Sequence, residues 1–188
     1  MDRKIILLHG PRACGKSNYA RKTLIKFYHF SLAQEVKEGC HRALNIRVPY
    51  NFFEDCKNEP NFLFHDKTPR EAWINYAEEF IKPLLGKDYF AKQVINQIDK
   101  LNVYSDRPVL IRDLRRQEEL DALVDNLGAD NIMIIYIQRD GKLGVLPADG
   151  DTLELPPAIT KRTVINHTGR EEEFWDDMDN IILSFLEL

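Results

Sequence analysis

The stretch LLHGPRACGKSNYA, residues 7–20, decides the fold. Within it, Gly10-Pro11-Arg12-Ala13-Cys14-Gly15-Lys16-Ser17 fits the spacing G-x-x-x-x-G-K-[ST]. Ile5 to Leu8 run into it without polar interruption, as in a buried central parallel strand. A helix is expected to open near Gly15 and to carry Tyr19, Ala20, Leu24 and Phe27 on one side. Glycines reach backbone angles closed to other residues and let N–H groups converge on an anion. The following helix adds its positive end. In this strand–turn–helix context the pattern predicts a phosphate cradle for ATP. Gly10, Arg12, Ala13, Cys14, Gly15, Lys16, Ser17 and Asn18 would surround the triphosphate. Lys16 would reach the β- and γ-phosphates and Ser17 would ligate Mg²⁺.

Further along, the chain alternates strand and helix patterns. A short strand is expected around Tyr28–Phe30. Ser31-Leu32-Ala33-Gln34 reads as a capping box opening a helix to about Leu44. Residues 45–67 contain Pro49 and Pro60 and read as an irregular insertion. Thr68-Pro69-Arg70-Glu71 reads as a second capped helix start, with the helix stopping near Pro83 or Gly86. A further helix, which Asp88 can cap, has apolar positions 90, 91, 94, 95, 98 and 101. Pro108-Val109-Leu110-Ile111 reads as a strand ending in Arg112-Asp113. A helix from about Glu118 to Gly128, a strand over Asn131–Gln138, a long loop over 139–160, a strand at Thr163–Ile165 and a final helix follow. The fold expected is α/β: a P-loop NTPase with a five-stranded parallel sheet and helices on both faces. One domain spans 1–188, with an insertion over 45–104 and a lid-like loop over 139–160.

The 188 residues carry a net charge of −4, which argues against a general duplex-DNA binder. Nucleic acid is an unlikely partner on this count and a small anion a better one. Three cysteines without C-x-x-C spacing suit reduced thiols in a cytoplasm. The five histidines show no zinc spacing. The apolar run Ile5–Leu8 is too short for a signal peptide or a membrane span. A cytoplasmic protein, without membrane contact, is expected.

An aspartate at the end of a buried strand is where P-loop proteins hold Mg²⁺, so Asp113 joins Ser17 as a candidate metal residue. Its structural alternative is a cap for the helix region 118–127. No N-K-x-D tetrapeptide is present, which disfavours a GTPase. Small-molecule kinases remain, and these need cations at an acceptor site because two anions must meet. Lys37, Arg70 and Lys92 are candidates on inserted helices. Arg115 and Arg139 lie just past strand ends, where open α/β sheets bind ligands. The aromatics of residues 45–67 are expected to pack beneath the insertion rather than stack on a base. Three functions stay open on the residues alone: a nucleoside monophosphate kinase, a kinase of a nucleoside, sugar acid or polynucleotide end, and a non-catalytic ATP-binding module.

Several segments together resemble one family. They are the phosphate cradle, FSLAQEVKEG ahead of Lys37 and beyond, KTPREAW, GKDYFAKQVINQI, VLIRDLRRQEELDAL and VINHTGREEEFWDDMDNI. In order and spacing they resemble the phage-type deoxynucleoside monophosphate kinases, which share the P-loop nucleoside monophosphate kinase fold. The resemblance implies an adenylate-kinase-like architecture with a helical acceptor-binding insertion. It implies transfer of the γ-phosphoryl of ATP to a (deoxy)nucleoside monophosphate, in the host cytoplasm if the source is viral. It places Ala33, Lys37, Arg70, Asp88, Tyr89, Phe90 and Lys92 at the acceptor. It makes Arg115 a bridge to the transferring group, alongside Lys16, Asp113 and Arg139 as catalytic residues. It sets the turn Asn166–Gly169 near the donor base, and a homodimer is its default assembly. The loop DGKLGVLPADGDTLELPPAIT, residues 140–160, departs from the family in having one cation and no histidine. Any lid charge would then come from Arg139, Lys142, Lys161 or Arg162.

Overall fold

The computed structural model describes residues 3–11, 13–101, 106–140 and 153–187. The expectations for Arg12, for Lys142 and for the part of the lid-like loop over 141–152 lie outside the described residues. Five strands form one sheet: β1 (Ile5–His9), β2 (Tyr28–Phe30), β3 (Val109–Ile111), β4 (Ile132–Arg139) and β5 (Thr160–Asn166). All pairings are parallel and the order is β2-β3-β1-β4-β5. The α/β fold expected from the alternating pattern is therefore present. β1 lies at the centre, with Ile5 opposite both Val109 and Ile132.

Strand residues alternate between two cores because side chains in a strand alternate faces. Ile5, Leu7, Val109, Ile111, Ile132 and Ile134 pack on one face, against α5 (Tyr89–Leu101) and α6 (Gln117–Leu127). Ile6, Leu8, Leu110, Met133, Ile135 and Ile137 pack on the other, against α1 (Lys16–Lys22) and α7 (Glu171–Leu186). Each such side chain, fully buried, contributes about 1.5–3 kcal/mol before entropy is counted. The insertion builds two smaller cores. Cys40 of α2 (Leu32–Ala43) meets Phe53, Phe64 and Trp73 in one, and Ala77, Ile81 and Phe90 make the other. Phe53 and Phe64 pack as expected, while Phe52 and Phe62 remain exposed.

The capping box at Thr68 is complete: Glu71 N–H donates to Thr68 Oγ1 and Thr68 N–H donates to the Glu71 carboxylate. Four local differences from the sequence reading have physical causes. First, α1 ends at Lys22, because the Thr23 hydroxyl donates to the carbonyls of Tyr19 and Ala20, and Leu24 points outward at 59% exposure. Second, Ser31 caps α2 through Gln34 N–H, but the Gln34 side chain donates to Glu38 instead of reaching back. Third, α3 (Pro69–Asn75) continues through a wide π-turn, Tyr76–Ile81, into α4 (Lys82–Leu85). Pro83 has no N–H for the carbonyl four residues back, and the wider turn just before it accommodates that loss. Fourth, β5 starts at Thr160, three residues early. It is an edge strand whose exposed Lys161, Arg162 and Thr163 carry no apolar signal.

Candidate functional site

The loop after β1 closes around its own lysine. Lys16 Nζ donates to Gly10 O and Pro11 O, each at 2.7 Å, and to Cys14 Sγ at 3.3 Å. All three ammonium hydrogens thus have partners. Gly10 stands at φ 146°, where an added Cβ would lie 2.3 Å from the carbonyl oxygen of Ile137. Gly15 stands at φ 112°, and its Cβ would lie 2.5 Å from Asn166 Nδ2. Only glycine permits both the angle and the approach. Two strand ends brace the loop from outside. Asn166, at the end of β5, donates from Nδ2 to Cys14 O at 2.9 Å. Arg139, at the end of β4, donates from Nη1 to Ala13 O at 2.7 Å. Ala13 itself is held at φ 59°. Asn18 accepts from Arg21 on the exposed side of α1.

The exit of β3 supplies a second wall. Asp113 accepts from Leu32 N–H on Oδ1, and from Ser31 Oγ–H and Ala33 N–H on Oδ2, at 2.7–2.9 Å. It caps α2, not the 118–127 region. Glu119 accepts the backbone N–H groups of Arg115 and Arg116, both at 3.1 Å, which fixes the turn that carries the exposed Arg115. Buried His9 meets the carbonyl of Leu114 at 3.0 Å through Nδ1. Since a carbonyl only accepts, Nδ1 carries the hydrogen there. Burial, joined by Lys16 and Arg115, holds the His9 pKa below its ordinary value.

These residues suit a magnesium triphosphate. The loop is a cradle that a Cβ would fill at two points. Ser17 is exposed, and among the described residues no hydrogen bond engages its hydroxyl. Asp113 already accepts three hydrogen bonds of the roughly four its carboxylate can take. It could therefore hold a cation through water, not by broad direct ligation. Mg²⁺ bound there would neutralise charge on the β- and γ-phosphates.

One turn along α2 from Ala33, a second cluster is charged and aromatic. The Lys37 ammonium is paired with Glu54 Oε1 and stands 5.2 Å from the Tyr50 ring centroid and 5.1 Å from that of Trp73. Glu54 Oε2 accepts from Lys57 at 2.8 Å. Arg70 is tied to the same turn, its N–H donating to Lys57 O at 3.1 Å. The Arg70 side chain is half-buried, and among the described residues it makes no hydrogen bond or ion pair. Burial raises the Tyr50 pKa against the opposing field of Arg112, which brings Arg112 to the same wall. Lys57 and Glu54 were not singled out in the sequence; Tyr50 was counted with the aromatics of 45–67, and Arg112 was named only as a strand end. The K-x-x-E ion-pair spacing, reversed here as Glu54 to Lys57, was the available signal.

Other expected acceptor residues lie elsewhere. Asp88 and Lys92 pair with each other at 2.7 Å. Phe90 is core, packed with Ala77 and Ile81, and Tyr89 lies edge-on to it. No hydrogen bond or ion pair among the described residues joins this group to Lys37 or Arg70. The side chain of Asn166 braces the loop, and Gly169 sits at φ 80° in an exposed turn with open space around it. Among the other candidate lid cations, Lys161 lies 4.7 Å from the Tyr136 ring centroid and Arg162 donates to Lys161 O.

No protein-family model and no curated protein matches the chain. Among solved structures, a candidate kinase from Chloroflexus aurantiacus J-10-fl superposes with a TM-score of 0.53 at 10% identity, over 99% of this chain and 97% of that one. An unliganded sugar kinase from Janibacter sp. HTCC2649 superposes with a TM-score of 0.48 at 10% identity, over 98% and 94%. The first shares its α/β fold with this chain. Among the described residues no helix is long and apolar enough to cross a membrane.

Proposed function

We propose that the protein transfers the γ-phosphoryl of ATP to a (deoxy)nucleoside monophosphate. The observation that carries this reading is the pair of lysines, Lys37 and Lys57, on one carboxylate, Glu54, with the Arg70 backbone tied to the same turn. Two lysines share that one carboxylate, and Arg70 leaves the same turn with its guanidinium uncommitted among the described residues; this suits a phosphomonoester, whose charge is about −1.5 to −2 at neutral pH. In this reading Lys16 and the loop amides hold the triphosphate. Arg139 and Arg115 offset charge on the transferring group. Lys37 and Arg70 seat the acceptor's phosphate while Lys57 keeps Glu54, and Tyr50 and Trp73 wall the seat.

The chemistry then needs little from the protein beyond position and charge. An oxygen of the acceptor phosphate forms a bond to the γ-phosphorus. The bond from that phosphorus to the β–γ bridging oxygen breaks, and ADP leaves. A phosphate dianion has no proton to lose, so no general base is required. A sugar or nucleoside hydroxyl would require one. Asp113, the carboxylate at the β3 exit, is occupied by three donors at the start of α2 and is poorly placed for that task.

The test is a panel of the common ribo- and deoxyribonucleoside monophosphates with ATP and Mg²⁺. A diphosphate product, lost in Lys16→Ala, is expected from at least one of them. If every acceptor yields none, the reading fails.

A further inference from the structure

We propose that Glu54 is a specificity-determining residue: an internal anion that already sits in the acceptor seat, so that only a doubly charged phosphate can take its place. This rests on reading the Lys37 cluster as the acceptor seat. The carboxylate bridges two ammonium groups, one oxygen to each, with Lys37 on Oε1 and Lys57 on Oε2. The ring faces of Tyr50 and Trp73 cover other sides of Lys37, and neither offers a hydrogen-bond acceptor of comparable strength. Among the described residues Glu54 is the one hydrogen-bond partner of Lys37. An arriving anion must therefore win Lys37 from Glu54.

The exchange has a defined course. Lys57 lies three residues beyond Glu54 on the same turn, with its side chain about as exposed as that of Glu54. Glu54 can release Lys37 while keeping Lys57, so its carboxylate is never left unpaired in a half-buried place. A singly charged ligand gains nothing by replacing one carboxylate with another monoanion. A dianion gains the extra charge. Glu54 thus excludes phosphodiesters, carboxylates and other monoanions, and raises the acceptor concentration needed for half-saturation.

The experiment uses the full chain with a non-hydrolysable ATP analogue and Mg²⁺ in saturating amount, so that the β1 loop is filled. Thermal unfolding is then followed with methyl phosphate, a dianion at pH 8, and with dimethyl phosphate, a monoanion. The wild-type protein is expected to gain stability from methyl phosphate alone. Glu54→Gln is expected to gain from both, with apparent dissociation constants lowered about fivefold. Turnover supplies the second readout. In Glu54→Gln the acceptor KM falls about fivefold while the ATP KM holds. Lys57→Met raises the acceptor KM, because Glu54 loses its alternative partner, and adding Glu54→Gln to it cancels that rise. Glu54→Ala removes the carboxylate altogether and tests the same point should the glutamine variant not fold. Continued exclusion of dimethyl phosphate in both Glu54 variants, or a rise in acceptor KM on Glu54→Gln, overturns the inference. Gain of dimethyl phosphate binding in a protein that phosphorylates no nucleoside monophosphate would leave the internal anion standing and remove the proposed reaction instead.

Discussion

Asn166 Nδ2 donates to the carbonyl of Cys14 at 2.9 Å across 152 residues of sequence, and both residues are buried. The last strand of the sheet thereby holds the loop after β1 at its midpoint. In Asn166→Ala the Cys14 carbonyl is left without this partner, at a cost of about 1–3 kcal/mol. Binding of an ATP analogue should weaken about tenfold, since 1.4 kcal/mol corresponds to that factor. Calorimetric titration of wild type and variant measures it; equal affinities would show that the loop keeps its shape unaided.

Three glycines separate crowding from backbone strain. Gly10→Ala drives a Cβ to 2.3 Å from the Ile137 carbonyl oxygen, a backbone atom that cannot swing aside. The expected loss is about 3 kcal/mol or more. Gly15→Ala meets the Asn166 side-chain amide at 2.5 Å, which can turn away only by giving up its bond to Cys14 O, so a loss of about 2–3 kcal/mol, below that of Gly10→Ala, is expected. Gly169→Ala carries the positive φ but meets nothing within 4 Å, so about 1–2 kcal/mol is expected. Denaturant melts of the three variants give the ranking, and equal losses would refute the crowding argument.

Asp113→Asn distinguishes a cap from a purely metal-directed role. Asparagine has one acceptor oxygen for three donors and would turn an N–H towards some of them. A loss of about 2 kcal/mol is expected in protein free of ATP and Mg²⁺. An unchanged melt with lost turnover would mean that α2 does not depend on this carboxylate.

Acid should destabilise the protein earlier than its carboxylates would. Burial is the leading cause that holds the pKa values of His9, His29 and His41 below the ordinary 6.5. The unfolded chain therefore takes up protons first as pH falls through 6.5, and the folded state loses ground from there down to the folded pKa values. Above 6.5 these groups leave stability flat. His9→Asn keeps a donor for Leu114 O without the titration, and its melting temperature should fall less between pH 7 and 5. An identical slope in variant and wild type would show that His9 does not contribute.

Much of this was legible in the sequence, for identifiable reasons. The run Ile5–Leu8 and the G-x-x-x-x-G-K-[ST] spacing determine a buried strand, its turn and its helix because each has few physical alternatives. Thr68 to Glu71 spelled out a cap that formed atom for atom. The wall of the site was less readable. Asn166 braces a loop far from it in sequence, and Glu54 and Lys57 acquire their role from a fold of the insertion that no periodicity announces. Asp113 read as a candidate metal residue or a cap for 118–127, but the donors it accepts from lie at the start of α2, about 80 residues away. Long-range polar contacts of this kind leave no local pattern to read.

Lys16 has every ammonium hydrogen committed to Gly10, Pro11 and Cys14 before any nucleotide arrives. In the proposed reaction, capture of the triphosphate would be an exchange of partners in which the flexible side chain is ordered from the outset. The entropy of freezing a long lysine falls on folding, and the ligand's binding free energy is spared that part of the cost.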